Sequence, residues 1–510
     1  MAAEPALQPG SSRPPAPAAR SRQLSTRRLL LVLLTAGIGV FYLVFAWRTF
    51  VLHYYPSPPL FYDEGDSLAD WLNACAWSER TDRYTKWQSL YTPFSHFTCS
   101  LFSAVLGVIP VDWTTGWRQF SLSFRLVLLL HLLLWFSILL PLKPCTPPSA
   151  GQGPGLLQIR LRRLPFKLLT LLSYGALYSF ERGNLLSLCF LLFLLSFRLA
   201  YSPQLHSRLQ PLLLGLGAAI KPYMLLFSTY SWRLGGLLQA LAVAVGLQLA
   251  AVVLAGAPGL ENLPANLDYF GRDNDVSDVL TRTLHSFSFK SYLDLHKLVA
   301  YGEADTFRAD QLHLLLDGLY GLSLALFLLT GILGLQCLRS SWRQQRLRRR
   351  QDASSSDPLL SGVIPSCVLV FLYLLQAQAS GAYVVLFLIA ALLCLEEETG
   401  MICRSPLLLS LYFLAICAFD MPWSTAKSFS CGSLSLQIQH RPLLSELLGT
   451  PFTCLGTYVG PLSLARPLLT LLFGLALFAH LLRHLRIQER LAAAQSGASA
   501  PEPPSRSLPA

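Results

Sequence analysis

The sequence predicts an all-α polytopic membrane protein, and three observations carry the prediction. Of its 510 residues 53% are hydrophobic and only 13% charged, with a mean hydropathy of +0.46. That is more apolar surface than a water-soluble fold buries, so lipid must be part of the solvent. Several runs of about 17–25 residues are nearly free of charge, the length that crosses a bilayer core. Finally, Lys and Arg gather beside those runs rather than across one folded face. The net charge of +12 therefore reads as a topology signal, and membrane lipids, not nucleic acid, are the expected partners.

The elements follow in order. Residues 1–28, rich in Pro, Ala, Ser and Arg, read as a disordered cytoplasmic tail. The apolar run behind them is too long for a signal-peptide core, and no small-residue cleavage site follows it. Residues 29–46 form the first span, leaving the cytoplasm because Arg20, Arg22, Arg27 and Arg28 precede it. A first outer loop, 48–119, holds two weaker apolar segments, 68–77 and 94–109. With both lying as helices in the interface, 124–142 returns to the cytoplasm and delivers Lys143, Arg160, Arg162, Arg163 and Lys167 there. If one of them crossed, that basic cluster would face outward, so charge parity selects the interfacial reading.

Residues 168–180 then lead out to Glu181-Arg182-Gly183-Asn184, and 185–199 lead back. Segments 209–220 and 223–232 are short and flank Lys221-Pro222, which predicts a pair of broken helices meeting in the outer half of the membrane. Residues 234–255 reach a second outer loop, 256–310. Residues 312–335 return to a basic cytoplasmic loop, 337–360, with Arg339, Arg343, Arg346, Arg348, Arg349 and Arg350. Spans at 363–376, 382–395, 407–419 and 467–482 complete a transmembrane domain over 29–490, and 491–510 form a second disordered cytoplasmic tail. The total is about 12 membrane helices.

Acidic residues gather away from the basic clusters. Asp63, Glu64, Asp66, Asp70, Glu79 and Asp82 fall in the first outer loop, and Asp268, Asp273, Asp275 and Asp278 in the second. Most read as solvated loop carboxylates. Asp66 stands apart, because Leu68, Trp71, Leu72 and Cys75 follow it at helical spacing. That puts a carboxylate at the start of an interfacial helix, at head-group depth. Arg182 and Lys221 are cations at membrane depth, the kind of residue that marks function when it is not snorkelling or paired with a neighbour such as Glu181. His285 and His296 flank Lys290 in the second outer loop. Asp273-Asn274-Asp275 lacks the fuller oxygen set of a cation loop, so no metal or cofactor is expected. Cys75, Cys99, Cys431 and Cys454 lie in outer loops, where disulfides form, with connectivity unreadable from spacing.

Three stretches carry a family resemblance: 66–74, reading Asp-Ser-Leu-Ala-Asp-Trp-Leu-Asn-Ala; Tyr84 with 89–94, Ser-Leu-Tyr-Thr-Pro-Phe; and Arg182-Gly183-Asn184 with the Gly-Leu-Ala-rich run 212–222 that ends in Lys221-Pro222. Together they resemble the GT-C superfamily of polyprenyl-phosphate-sugar-dependent glycosyltransferases. Within it the chain is most similar to the bacterial polyprenol-phosphate-mannose-dependent mannosyltransferases, glycosyltransferase family 87. The resemblance covers the first half of the chain; the second half is similar mainly in hydropathy. It implies a GT-C-like fold and transfer of a hexose, mannose, from a polyprenyl-phosphate sugar to a lipid or glycan acceptor. The reaction would be inverting and sit on the outer face of a bacterial plasma membrane. Asp66 is implied as general base, with Arg182, Asn184, Lys221, Asp63, Tyr91 and His285 as substrate contacts. One departure stands out. Where the family has Ser-Trp-His at a late span, this chain reads Ala379-Ser380-Gly381-Ala382-Tyr383, so that His is missing or replaced from elsewhere, as by His285 or His296. A transporter or flippase of a lipid-linked substrate is the alternative reading, and a non-catalytic scaffold a third. Transporters pair their broken helices in two related halves, and here Lys221-Pro222 has no counterpart in the second half.

Overall fold

The computed structural model describes residues 28–40, 69–86, 88–106, 136–139, 156–182, 185–201, 203–227, 234–271, 287–301, 306–351, 357–376, 381–418, 453–454, 457–458 and 461–498. Among them the architecture is all-α, apart from a hairpin of two-residue strands, β1 (Thr453–Cys454) and β2 (Thr457–Tyr458), paired antiparallel.

Helix α1 covers Arg28–Val40. The two segments expected in the first outer loop are helices α2 (Ala69–Ser78) and α3 (Pro93–Leu106), packed on each other. Of the expected span 124–142 only the turn Ser137–Leu139 is described. The span expected at 168–180 is instead two helices, α4 (Leu156–Leu171) and α5 (Tyr174–Arg182). The chain breaks between them because the Ser173 hydroxyl accepts the backbone N–H of Ala176 at 3.2 Å and caps α5. Helices α6 (Leu186–Ala200) and α7 (Pro203–Ile220) follow, then the short α8 (Met224–Phe227). Helix α7 is longer than the expected 209–220, with Pro211 inside it.

Helix α9 (Leu234–Ala255) lies along α7. The close approach runs through Gly215, where a Cβ would stand 2.6 Å from the Ala240 carbonyl oxygen. Helix α9 stops at Gly256, which takes a left-handed φ of 64° and bonds back to Val252 O at 2.9 Å. The segment expected as a second outer loop contains α10 (Leu263–Gly271) and α11 (Lys290–Tyr301).

Helix α12 (Thr306–Gln351) runs for 46 residues without a break, so residues 337–351 of the expected basic loop are helical. The positive-inside rule assigns that basic segment to a face but says nothing about its backbone. Arg, Gln and Leu are good helix formers, and one side of the segment is buried at Cys337, Ser341, Gln344 and Gln345. Helix α13 (Ile364–Gln376) follows a π-helical turn at Leu359–Val363, and then come α14 (Gly381–Thr399), α15 (Met401–Arg404) and α16 (Pro406–Tyr412). The last helix, α17 (Pro461–Ala498), extends past residue 491, so part of the expected tail is helical. Cys337 donates to Phe478 O and Gln344 to Leu485 O, each 141 residues apart. A constant offset means that α12 and α17 run parallel, and their arginine-rich C-terminal parts reach the same end of the bundle.

Four stretches among the described residues are helical, long and apolar enough to cross a membrane: Gly235–Ala255, His313–Arg348, Leu359–Gln376 and Leu464–Leu491. This is an all-α, membrane-embedded protein. The core sits around α14, whose residues 384–395 are all buried, with α4, α5, α6 and α13 packed against it. On α9, by contrast, Leu249, Val253 and Leu254 are 62–82% exposed, as expected where lipid completes the packing.

Candidate functional site

Pro222 fixes where α7 ends. It carries no N–H and disfavours helical backbone at the residue before it, so the last carbonyls of α7 lose their helical partners. Ala219 and Ile220 are buried, and buried carbonyls need replacement partners. Thr92 Oγ1 donates to Ala219 O at 2.7 Å and Ser95 Oγ to Ile220 O at 3.0 Å, both from the start of α3. Gln248 of α9 also donates to Ala219 O, at 2.6 Å, while its carbonyl oxygen accepts the Phe94 N–H at 2.9 Å. The broken helix end is thus closed by α3 and α9. Beside it the half-buried Lys221 ammonium lies 4.6 Å from the centre of the Tyr91 ring.

Tyr91 is fixed in turn by the segment leading into α3. Tyr84 donates to Tyr91 O at 3.0 Å, and the Tyr91 N–H bonds Ser89 Oγ at 3.2 Å. Ser89 Oγ is 2.9 Å from His96 Nε2. Which of the two donates follows from the imidazole tautomer, since the Ser89 oxygen has a second lone pair beside the one that takes the Tyr91 N–H. His96 is 1% exposed, with the rings of Tyr84 and Tyr91 edge-on at 5.5 and 6.0 Å. Burial, helped by the Arg83 cation, pushes its pKa down to about 3, so the ring is neutral at physiological pH. Burial also raises Tyr84 to about 12, against the opposing pull of Arg83.

The segment around α2 and α3 and the segment that follows α9 are tied together here. Asn266 of α10 donates to Tyr84 O at 2.9 Å and Ser89 O at 3.4 Å. Arg83, 4% exposed, donates to Ser78 O at 2.8 Å and to the carbonyl of Gly256 that ends α9.

Of the residues expected at a site, Tyr91 and Lys221 are brought into contact. Asp63, Asp66, Asn184 and His285 lie outside the described residues. Arg182 closes α5, with its side chain outside what is described. Helix α2, which opens just after Asp66, packs against α5. His296 sits elsewhere: its Nε2 is 3.7 Å from Asp317, and its ring is 4.2 Å from that of His313, both on α12. Cys75 and Cys99 are buried thiols side by side, Cys75 donating to Cys99 O at 3.8 Å, and burial pushes the Cys99 thiol up. Cys431 lies outside the described residues, and Cys454 lies on β1. Among the described residues no three His, Cys, Asp or Glu side chains gather as a metal site.

Sequence reading missed His96, Arg83 and Arg466. Arg466 is 1% exposed near the start of α17. It donates to Ala418 O at 2.7 Å and lies 4.0 Å from the Tyr174 ring centre and 5.6 Å from that of Phe287. An arginine next to Pro467 at the head of an apolar run was the available signal.

No protein-family model, curated protein or solved structure matches the chain. The Thr92 and Ser95 hydroxyls and the Gln248 amide take up the last α7 carbonyls beside Lys221. An ammonium on an aromatic face, next to a helix break, can hold an anionic group such as a phosphate.

Proposed function

We propose that the chain is a membrane glycosyltransferase of about 12 membrane helices with a GT-C-like fold. It moves a hexose, mannose in the first instance, from a polyprenyl-phosphate sugar to a lipid or glycan acceptor. The reaction sits at the Lys221 end of the bundle, on the non-cytoplasmic face of a bacterial plasma membrane. The observation that supports this reading is the contact of Tyr91 and Thr92 with Lys221 and Ala219. It joins two of the stretches on which the family resemblance rests, far apart in sequence.

In this mechanism Asp66 takes the proton of the acceptor hydroxyl. The hydroxyl oxygen forms its bond to the anomeric carbon from the face opposite the leaving group, and the configuration inverts. The bond from that carbon to the phosphate oxygen breaks, and its electron pair leaves with the lipid phosphate. Lys221 offers that phosphate a point charge and Arg182 a bidentate fork. Asp63, Asn184, Tyr91 and His285 contact the sugar and acceptor. A positioned general base contributes about 10²–10⁴ in rate.

The test is sugar transfer by the purified full chain across a panel of polyprenyl-phosphate sugars, with Asp66→Asn alongside. The variant is expected to lose about 10²-fold or more of the transfer rate while eluting and melting like the parent. Undiminished transfer by Asp66→Asn would rule out Asp66 as the base. The helix break at Lys221-Pro222 is also the feature of a transporter or flippase. Movement of lipid-linked sugar across vesicles without transfer would favour that reading instead.

A further inference from the structure

At the basic end, the parallel helices α12 and α17 leave a groove of about 470 Å³, within the range of small-ligand sites. Leu333 and Gln336 of α12 line one side, and Leu482, Arg483, Arg486 and Arg490 of α17 line the other. The three arginines recur at helical spacing, so they share a face of α17. Their surroundings differ from those of other cations at this end. Lys167 meets Glu397 at 2.6 Å, and Arg348 meets Asp357 at 2.5 Å. Among the described residues, no carboxylate pairs with Arg483, Arg486 or Arg490. The groove therefore keeps its positive charge. It adjoins the apolar face of α12, where Leu328, Ile332 and Leu335 are 54–62% exposed.

We propose that this groove is a binding site for an acidic phospholipid, its phosphate held by Arg483, Arg486 and Arg490 and its acyl chains lying along α12. Charge complementarity selects an anion, and the adjoining leucines select one that carries hydrocarbon. No aromatic side chain lines the groove to stack a nucleotide base. The inference is independent of the chemistry at the Lys221 end.

The experiment uses the full chain, purified and stripped of lipid, and native mass spectrometry. Binding of phosphatidylglycerol is compared with that of phosphatidylcholine of the same acyl length. The variant R483Q/R486Q/R490Q is compared with R339Q/R343Q/R346Q, which removes equal charge from α12 outside the groove. The groove variant is expected to bind phosphatidylglycerol on the order of 100-fold more weakly, from about fivefold per arginine. The control variant should stay near the parent, and inorganic phosphate should not displace the lipid. Melting in phosphatidylcholine checks that the groove variant is folded; if it is not, R486Q alone should show the roughly fivefold step. Equal losses in both triple variants, equal binding of the two lipids, or displacement by inorganic phosphate would overturn the proposal.

Discussion

At the basic end of the bundle Lys167 meets the buried Glu397 at 2.6 Å, with Arg163 3.9 Å from the same carboxylate. In the opposite half, Lys221 lies 4.6 Å from the Tyr91 ring centre and Arg466 lies 4.0 Å from that of Tyr174. Arg83 and Arg466 bond backbone carbonyls, and among the described residues no carboxylate pairs with either. The difference is chemical. A carboxylate cancels a cation, whereas a ring or carbonyl stabilises it and leaves its charge in place. The Lys167–Glu397 pair locks α4 to α14. In the opposite half Arg83 and Arg466 are held by backbone carbonyls, and Lys221 and Arg466 lie against aromatic rings.

The largest effect should come from breaking the cancelled pair. Glu397→Ala takes the carboxylate at 2.6 Å away from Lys167, which is 6% exposed, and is expected to cost about 3–5 kcal/mol. Lys167→Met with Glu397→Leu should recover most of that loss, because apolar residues of similar volume replace such pairs well. Denaturant unfolding in detergent reads both. A loss below about 1 kcal/mol for Glu397→Ala would mean that the pair behaves like an exposed one, and the contrast between the two ends would fail.

His96 gives the next effect, with a definite sign. Its folded pKa is held down at about 3 against 6.5 for an unperturbed histidine, so between those values the unfolded chain binds more protons than the folded one. Stability should be level above about pH 6.5 and fall as pH drops towards 3, on the order of 3 kcal/mol by pH 4. His96→Gln keeps a polar partner near Ser89 and should flatten that slope. An unchanged slope would assign the acid sensitivity to other groups.

Local sequence fixed some of this architecture and left the rest to contacts distant in the chain. The break at Lys221 is legible because Pro222 enforces it, and α2 and α3 because their apolar spacing is helical. The continuation of α12 through its arginines is not legible, since charge reports a membrane face and not a backbone. The break at Leu172-Ser173 lacks a Pro or Gly, and its capping hydroxyl is visible only once folded. Lys167 reads as a topology residue until Glu397, on another helix, is brought against it. At the site, Tyr91 and Lys221 each stand in a short motif. His96 and Arg466 do not, because what distinguishes them is burial among rings and carbonyls from other segments. The basic groove is a further case: Arg483, Arg486 and Arg490 gain a common purpose from the parallel course of α12, which no local pattern announces.

The smallest predicted effect probes how tightly the Lys221 end is determined. Gln88 has φ 48°, the one positive value at a non-glycine among the described residues, next to the Ser89 that bonds His96 at 2.9 Å. Left-handed backbone costs a non-glycine roughly 1 kcal/mol or more. Ser89 N–H reaches Arg83 O at 2.9 Å, and Asn266 holds Tyr84 O at 2.9 Å and Ser89 O at 3.4 Å. Those bonds set the path of the chain on both sides of Gln88. Gln88→Gly removes the steric cost but adds about 0.5–1 kcal/mol of unfolded-state entropy, so the expected net gain is only about 0.5 kcal/mol. Denaturant unfolding with replicate precision near that level checks it, alongside an assay of the sugar transfer proposed above. A gain in stability with transfer unchanged means that the surrounding hydrogen bonds alone position Tyr91. A gain with transfer reduced assigns the strained backbone a part in holding Tyr91 against Lys221, and a clear loss of stability would contradict the left-handed conformation itself.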